Sequence, residues 1–195
     1  MFSFLPTKAD DIPSIWNRFE NWLAKNAPHL TGTLNAPASE EDINALEKIL
    51  GESLPMAYAG FLKIHNGQDR DGEGLIDAEE LLRILEEWTV WKELLDKGDF
   101  NGTQAAPDAG VKASWWNVKW IPITYDGSGN HYCLDLDPAT GGRRGQVIRV
   151  WHDSAERELI ADSFQEWISG YVRGLERGRY VYSEDWSGII NKDDL

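Results

Sequence analysis

Apolar residues recur at helical spacing in the first half of the chain and alternate with polar residues in much of the second half. The first stripe predicts a helix from Ile12 to about Asn26, with Pro13 in its first turn. A second helix is predicted to begin after a Ser39 cap and an acidic first turn, which complements the positive end of the helix dipole, and to end at Gly51. The chain therefore opens with amphipathic helices.

Two further helices are predicted before the pattern changes. The third is short and runs from Pro55 to His65, because proline suits a first helical position and the following pair Asn66-Gly67 tolerates a left-handed backbone. The fourth is longer and is predicted from Asp77 to Leu95, with Gly98 just beyond its end. Both boundaries rest on local signals alone.

The second half of the chain predicts an antiparallel sheet. Alternating segments separated by short turns predict strands over residues 120–125, 131–136 and 145–151. Pro122 places the first of these at an edge or a bulge, since proline cannot donate a ladder hydrogen bond.

A last helix is predicted from Ser163 to Leu175, followed by a short strand over residues 179–182 and a polar tail. Helices first, an antiparallel sheet after and a covering helix predict an α+β fold in which helices flank the sheet. No internal repeat or linker divides the chain, so residues 1–195 are predicted to form a single domain, with residues 1–11 as a loose lead-in.

Composition narrows the classes of partner. The chain has 195 residues, 42% of them hydrophobic, and a formal charge of 19 − 33 = −14. This charge repels nucleic acid and anionic lipid and attracts basic proteins, although it also serves simply to keep a surface soluble. Cys133 is the single cysteine, so no intrachain disulfide forms. The first residues do not resemble a signal peptide and no segment is long enough to span a membrane, so we expect a cytoplasmic protein.

Three blocks of sequence, in this order, resemble the SUKH superfamily, whose founding members are fungal cell-wall assembly regulators of the Smi/Knr type. The blocks are Leu54-Pro55 with Tyr58, Phe61-Leu62 and His65-Asn66-Gly67; Trp120-Ile121-Pro122 with Asp126–Asn130, Asp135, Pro138 and Gly145-Gln146-Val147; and Ser163-Phe164 with Trp167. The resemblance covers a core of about residues 38–176. Residues 77–116 depart from a minimal member and are predicted to be a helical or loop insertion.

The resemblance implies a protein-binding module that is not an enzyme and that has no cofactor. Many bacterial members look like immunity proteins, which bind and neutralise secreted polymorphic toxins by occlusion, and the charge of −14 makes a basic toxin domain the expected partner. The alternative is a regulatory scaffold in cell-wall synthesis or signalling, as in fungal members. A metal- or small-molecule-dependent enzyme is the third hypothesis. The identity of the partner, the binding surface and the oligomeric state stay open.

The turn Asp126-Gly-Ser-Gly-Asn130 contains two glycines and invites comparison with a phosphate-binding loop. It lies in a hairpin and lacks the Lys-Ser/Thr that follows such a loop, so a plain turn stabilised by its Asp and Asn side chains is favoured. Because the SUKH resemblance places this turn in a cleft, Asp126 and Asn130 are candidate partner-binding residues.

Alternating acidic residues between the third and fourth predicted helices give a second candidate. Asp69, Asp71 and Glu73, with Glu80 at the twelfth position, resemble a calcium loop, but the fifth position is Glu where Asp or Asn is usual. A solvated acidic loop is the favoured interpretation, and no metal ligand is assigned. Asp69, Asp71 and Glu73 are retained as candidate partner-binding residues.

Tryptophans supply the remaining candidates. Trp115 and Trp116 are adjacent, and adjacent residues on a strand face opposite sides, so at most one of them belongs to the core. The other, together with Trp120, is a candidate anchor for a protein partner or packs against the insertion. His152-Asp153 could pair as a base and its orienter, but no activated nucleophile accompanies them, so no catalytic residue is predicted.

Overall fold

The computed structural model describes residues 10–70 and 73–195, and the predicted lead-in falls almost wholly outside these ranges. Within them the chain forms five α-helices: α1 (Ile12–Asn26), α2 (Glu40–Leu50), α3 (Met56–Leu62), α4 (Trp88–Lys97) and α5 (Phe164–Glu176). It also forms nine strands: β1 (Glu80–Leu81), β2 (Ala106–Pro107), β3 (Trp120–Pro122), β4 (Thr124–Tyr125), β5 (His131–Asp135), β6 (Gln146–Val150), β7 (Glu156–Ala161), β8 (Tyr180–Ser183) and β9 (Gly188–Asn191).

Local capping sets the ends of the helices that agree best with the sequence pattern. The Asp11 side chain accepts a 2.9 Å hydrogen bond from the Ser14 N–H at the start of α1. Ser39 and Asp42 form a reciprocal capping box at the start of α2, and Gly51 ends this helix with φ of 72°. These signals lie within a few residues of each helix end, so the sequence alone locates them.

The central sheet has five strands in the order β2-β7-β6-β5-β3 and is antiparallel except between β2 and β7. The predicted α+β class, with helices flanking an antiparallel sheet, is confirmed. As predicted for a strand that contains Pro122, β3 lies at an edge. The segment predicted as one strand over residues 120–125 divides at Ile123, beyond which β4 pairs with β1.

The two faces of the sheet support two apolar clusters. Leu134 and Val147 point to the face that packs against α1, α2, α3 and α5 in the main core. Cys133 and Ile148 alternate with them and point to the other face, where α4 and Trp116 form the second cluster. The sheet is therefore covered on both sides, but α5 does not reach the whole of its helix side.

The prediction of one long helix from Asp77 to Leu95 is wrong in its first half. The backbone of β1 pairs with β4, and Leu81 N–H donates a 2.8 Å hydrogen bond to Gln68 Oε1. Because these partners lie 13 or more residues away, they outweigh the local helical pattern, and α4 starts only at Trp88.

The third helix also ends earlier than predicted, at Leu62 instead of His65. The carbonyl of Leu62 accepts a 2.9 Å hydrogen bond from Ala38 N–H, and Asn66 N–H donates to Ala36 O at 3.1 Å. The segment before α2 thus forms backbone hydrogen bonds with residues 62–67.

Strands β7 and β9 were not predicted, because β7 alternates weakly and β9 falls in the predicted polar tail. The second half of residues 77–116 packs on the sheet face opposite the main core. That these residues are an insertion in a core of residues 38–176, and that the whole chain is one domain, stay predictions. Among the described helices, none combines the length and apolar character that crossing a membrane requires.

Candidate functional site

A cleft of about 740 Å³ opens on the helix side of the sheet. Its floor is formed by Tyr132 of β5, Arg149 of β6 and Trp151 just after β6. Its walls are formed by the turn at residues 77–79, by residues 158–160 of β7 and by residues 186–194. We call it the acidic cleft. Its volume lies within the range of ~300–1,000 Å³ that is typical of ligand sites.

Cross-strand register aligns the floor. Tyr132 lies opposite Arg149, and Arg149 lies opposite Glu158, so these three side chains share one face of three neighbouring strands. The register shifts between Val147 and Ile148, so that two residues of β7, Ile160 and Ala161, occupy the place of one. This irregularity accompanies the exposure of Ile160 at the edge of the cleft.

The guanidinium of Arg149 lies between two aromatic rings on the floor. Its central carbon is 4.6 Å from the ring centre of Tyr132 and 4.3 Å from that of Trp151. The attraction between a cation and an aromatic face strengthens when both groups are withdrawn from water. Arg149 is buried, so the two rings and its polar partners hold it in one position.

Glu79 is the main charged partner of Arg149. Its Oε1 forms an ion pair with Arg149 Nη1, and its Oε2 accepts a 2.5 Å hydrogen bond from Thr124 Oγ1. Burial raises the pKa of Glu79 to about 7, although the neighbouring Arg149 acts in the opposite direction. The pair connects β6 to the residue just before β1.

Asp126 contributes a second carboxylate to the cleft, with Oδ2 4.0 Å from Arg149 Nη2. Its Oδ1 accepts hydrogen bonds from the N–H groups of Ser128 and Asn130 at 2.8 and 3.0 Å, and Asn130 Nδ2 donates to its Oδ2 at 2.6 Å. Burial alone would raise the pKa of Asp126, but these hydrogen bonds keep it below its ordinary value.

The Asp126–Asn130 segment is therefore a self-stabilised turn, as its composition predicted. Gly127 and Gly129 have φ of 82° and 106°, which side chains rarely allow. Asn130 is buried behind the turn, where its Oδ1 accepts a 2.9 Å hydrogen bond from the His152 N–H. Asp126 lines the cleft directly, whereas Asn130 positions it.

The wall at residues 77–79 is a tight turn. Asp77 and Ala78 have φ of 51° and 60°, both in the left-handed region, and Ile76 and Glu79 exchange backbone hydrogen bonds of 3.0 and 2.9 Å across them. This backbone geometry matches a hairpin turn that normally carries glycine. Strained positions of this kind cluster at functional sites.

The wall at residues 186–194 belongs to the C-terminal hairpin formed by β8 and β9. Ile189 N–H donates to Gly74 O at 2.9 Å, and Ala78 N–H donates to Ile189 O at 2.7 Å. A Cβ on Gly188 would overlap the backbone of Gly74, and a Cβ on Gly74 would overlap the backbone of Ala78. This docking positions Trp186, whose side chain is 54% exposed at the mouth of the cleft.

Carboxylates dominate the charge of the cleft. Five acidic side chains line it against the single guanidinium of Arg149: Asp77, Glu79, Asp126, Glu158 and Asp194. Within residues 10–70 and 73–195, Glu158 and Asp194 form no ion pair. Burial, reinforced by the carboxylate of Asp194, raises the pKa of Asp77. The cleft is thus left with uncompensated negative charge near its mouth.

A second cleft, of about 600 Å³, lies between α1 and the end of α5. Its most prominent cation, Arg18, donates to Glu176 through Nε at 2.7 Å and to Asp10 through Nη1 at 2.6 Å. Because Arg18 already pairs with Glu176 and Asp10, its charge is less available to a ligand than the unpaired carboxylates of the acidic cleft.

The acidic loop candidates lie away from the cleft. Asp69 is exposed, and its N–H donates to Thr33 O at 2.7 Å. Glu73 lies 3.1 Å from His29 Nε2, and hydrogen bonds from Tyr182 and His29 hold its pKa below the ordinary value. Asp71 lies outside the described residues, and the calcium-loop alternative stays a hypothesis. No cluster of acidic, His or Cys side chains in the described part of the chain is arranged as a metal site.

The three tryptophan candidates lie on or near the sheet face opposite the cleft. Trp120 is fully buried and donates from Nε1 to Asp135 Oδ1 at 3.0 Å. Trp116 is buried against Trp91 of α4, with ring centres 6.1 Å apart. Trp115, half-buried, stacks on the guanidinium of Arg157 at 4.9 Å. Partner binding through these indoles stays a prediction, and the structure leaves little of Trp116 or Trp120 accessible.

Sequence reasoning missed most of the cleft. Arg149 and Trp151 share the alternation of Val147 in a predicted strand, and a charged residue on a face expected to be apolar was the available signal. Trp186 was a second signal, since it is a large aromatic residue in a turn of otherwise polar residues. Nothing local connects either of them with Glu79.

Comparison with known proteins adds a family. A family model described as SMI1/KNR4 (SUKH-1) matches residues 37–170, which include the floor of the cleft and end before the C-terminal hairpin. The chain is similar to KNR4/SMI1 homolog 2 of Debaryomyces hansenii, with 29% identity over 94% of the chain and 40% of that protein.

Two further relatives have descriptive names. The Glucan synthesis regulatory protein of Neurospora crassa is 26% identical over 89% of the chain and 40% of its own length. The Cell wall assembly regulator SMI1 of Saccharomyces cerevisiae is 22% identical over 97% of the chain and 46% of its own length. The chain thus spans less than half the length of these relatives.

Proposed function

The chain belongs to the SMI1/KNR4 (SUKH-1) family, and from this premise we propose that it is a protein-binding module that acts in the regulation of cell-wall synthesis. The names of its relatives support the process, since one regulates glucan synthesis and another cell-wall assembly. The acidic cleft supports the mode of action. In this proposal the chain works by holding a partner and catalyses no reaction of its own.

The exposure of Trp186 beside the cleft is the observation that carries the binding role. Tryptophan is among the residues that contribute most to protein interfaces, and folding alone gives little reason to leave half of an indole in water. Ile160, 41% exposed, lies on another wall of the cleft. Two exposed large apolar side chains and several carboxylates thus line one cleft, and protein interfaces combine apolar and polar surface in this way.

Toxin immunity, which was expected first from the resemblance, has less support. None of the relatives named above is described as an immunity protein, and the partner expected for that role, a basic toxin domain, has no support from them. Both roles would use stoichiometric binding, so they differ in the identity of the partner and not in the mechanism. An immunity protein would co-purify with a toxin domain and protect cells from it.

Affinity capture with a matched control tests the proposal. The tagged chain, its Trp186→Ala variant and a Val90→Ala control would be used as baits in extracts of the source organism, with captured proteins quantified by mass spectrometry. Val90 is 49% exposed on α4, remote from the cleft, and so controls for loss of exposed apolar surface. We expect proteins of wall synthesis or its signalling to be captured by wild type and control and lost with Trp186→Ala.

A cellular readout completes the test. Cells in which the gene carries Trp186→Ala should show the same change in wall glucan content as cells that lack the gene, while the Val90→Ala cells should match wild type. A wall composition unaffected by deleting the gene would contradict the regulatory role. Capture that did not depend on Trp186 would contradict the use of the cleft.

A further inference from the structure

We propose that the acidic cleft binds a basic segment of the partner, in which a lysine or arginine lies next to an apolar residue. This inference rests on the proposed function, because it names the chemistry of the partner that the cleft would hold. Three features of the cleft carry it: its unpaired carboxylates, its exposed apolar walls and the internal neutralisation of its floor.

The cation on the floor of the cleft, Arg149, already has acidic partners, so the floor is not an anion-binding site. Arg149 is paired with Glu79, lies 4.0 Å from Asp126 and is enclosed by the rings of Tyr132 and Trp151. An incoming carboxylate or phosphate would have to displace a buried ion pair and would also meet the surrounding acidic groups. Anionic ligands are therefore disfavoured at this position.

The mouth of the cleft, in contrast, lacks positive charge. Glu158 accepts a 3.3 Å hydrogen bond from Trp151 Nε1 but has no cationic partner in the described residues, and neither has Asp194. They lie on different walls, with Trp186 on the same wall as Asp194. An ammonium or guanidinium group between these walls would meet carboxylates and an indole, the combination that favours cations over neutral groups.

The apolar walls distinguish a protein segment from a free cation. Trp186 and Ile160 expose apolar surface that a small cation would leave in water, whereas an aliphatic or aromatic side chain next to the basic residue would cover it. A second copy of this chain is a poor occupant because each copy carries a charge of −14. The same charge would accelerate association with a basic segment at low salt.

A random peptide library displayed on phage provides the probe, and the full 195-residue chain is the bait. The test variant combines Glu158→Gln and Asp194→Asn, and the control combines Glu41→Gln and Asp99→Asn. Both pairs change the formal charge from −14 to −12, but Glu41 lies on α2 and Asp99 follows α4, away from the cleft. Thermal unfolding of each variant would establish that it folds before selection begins.

Wild type and control should enrich sequences that contain lysine or arginine beside a large apolar residue. The Kd of a synthesised winning peptide should increase about tenfold in the Glu158→Gln/Asp194→Asn variant, as expected for the loss of two exposed charge pairs, and should also increase in Trp186→Ala. Raising the salt concentration should weaken binding of this peptide to wild type.

Enrichment of acidic or neutral peptides by wild type, or enrichment of basic peptides no greater than with the Glu158→Gln/Asp194→Asn variant, would overturn the inference. Equal losses of peptide affinity in the two charge variants would also overturn it, as would free arginine that binds as tightly as the peptide. The outcome is separable from that of the proposed function. A Trp186-dependent partner in the capture experiment without selection of basic peptides refutes only the basic segment. Basic-peptide selection without any effect on the cell wall refutes only the regulatory role.

Discussion

Arg149 on β6 and Glu79, the residue before β1, form an ion pair that is buried beneath the acidic cleft. The pair brings together positions 70 residues apart in the chain and fixes the turn at residues 77–79 against the sheet. Glu79 is also the group of the pair that responds to pH, because burial raises the pKa of its carboxyl to about 7.

Glu79 should make the protein less stable as pH rises from about 4.5 to about 7. A carboxyl whose pKa is raised from 4.5 to about 7 binds its proton more tightly in the folded state, so its contribution to stability is complete below 4.5 and is lost as pH passes 7. We expect the free energy of unfolding of Glu79→Gln to rise by roughly 3 kcal/mol relative to wild type over this interval. Urea denaturation at a series of pH values measures it.

Glu41→Gln, which removes a surface carboxylate from α2, serves as the control for that series. The comparison with wild type is needed because His131, whose pKa burial lowers, acts with the opposite sign as the unfolded state loses its proton near pH 6.5. If wild type instead gained stability over Glu79→Gln with rising pH, the attraction to Arg149 would outweigh the burial of the carboxyl.

Ala78→Gly should stabilise the protein. Ala78 has φ of 60°, where a Cβ costs about 1–2 kcal/mol, and glycine removes that cost while losing up to about 1 kcal/mol through the greater freedom of the unfolded chain. A net gain of about 0.5–1 kcal/mol is expected in chemical denaturation. The same substitution at Ala45, exposed within α2, should destabilise by about 1 kcal/mol. Equal losses at both sites would show that the turn stores no strain.

Gly74→Ala should displace the turn at residues 77–79 and, with it, the C-terminal hairpin. A Cβ at Gly74 would lie 2.2 Å from the carbonyl carbon of Ala78, where no flexible side chain can move aside, and the Ala78 N–H donates to Ile189 O of the hairpin. We expect a loss of about 2 kcal/mol or more in the free energy of unfolding, together with faster hydrogen exchange of the Ile189 amide. Gly32→Ala, where the added Cβ would meet nothing within 4 Å, should be nearly neutral. Unchanged exchange at Ile189 would contradict the close docking.

Arg157→Lys should loosen the segment that precedes β3. The buried guanidinium of Arg157 donates to the carbonyls of Trp115, through Nε at 3.0 Å and Nη2 at 2.6 Å, and of Ser154 at 2.8 Å. A lysine ammonium cannot reproduce this fork, so about 2–3 kcal/mol of stability should be lost and exchange should accelerate in residues 108–116. Arg177→Lys, exposed after α5, is the control. A loss no larger than that of the control would mean that these hydrogen bonds add little.

The sequence located those elements whose signals are local. The Ser39 capping box, the left-handed Gly51 and the Ser163 cap appear where the pattern placed them, since each depends on contacts within four residues. The turn from Asp126 to Asn130 was recovered for the same reason, and it brought one residue of the acidic cleft with it.

Tertiary structure decided the rest of the cleft. Leu81 lies in a helical sequence pattern but pairs with Thr124 in a sheet, and this pairing places Glu79 next to Arg149. The position of Trp186 depends on the backbone hydrogen bonds between β9 and Gly74. Backbone groups must be paired wherever water is excluded, and distant strands can satisfy that demand in competition with a local helix. The sequence by itself therefore determined the helices, the hairpin and the charge of this protein, whereas non-local pairing determined which of its acids and indoles face one another.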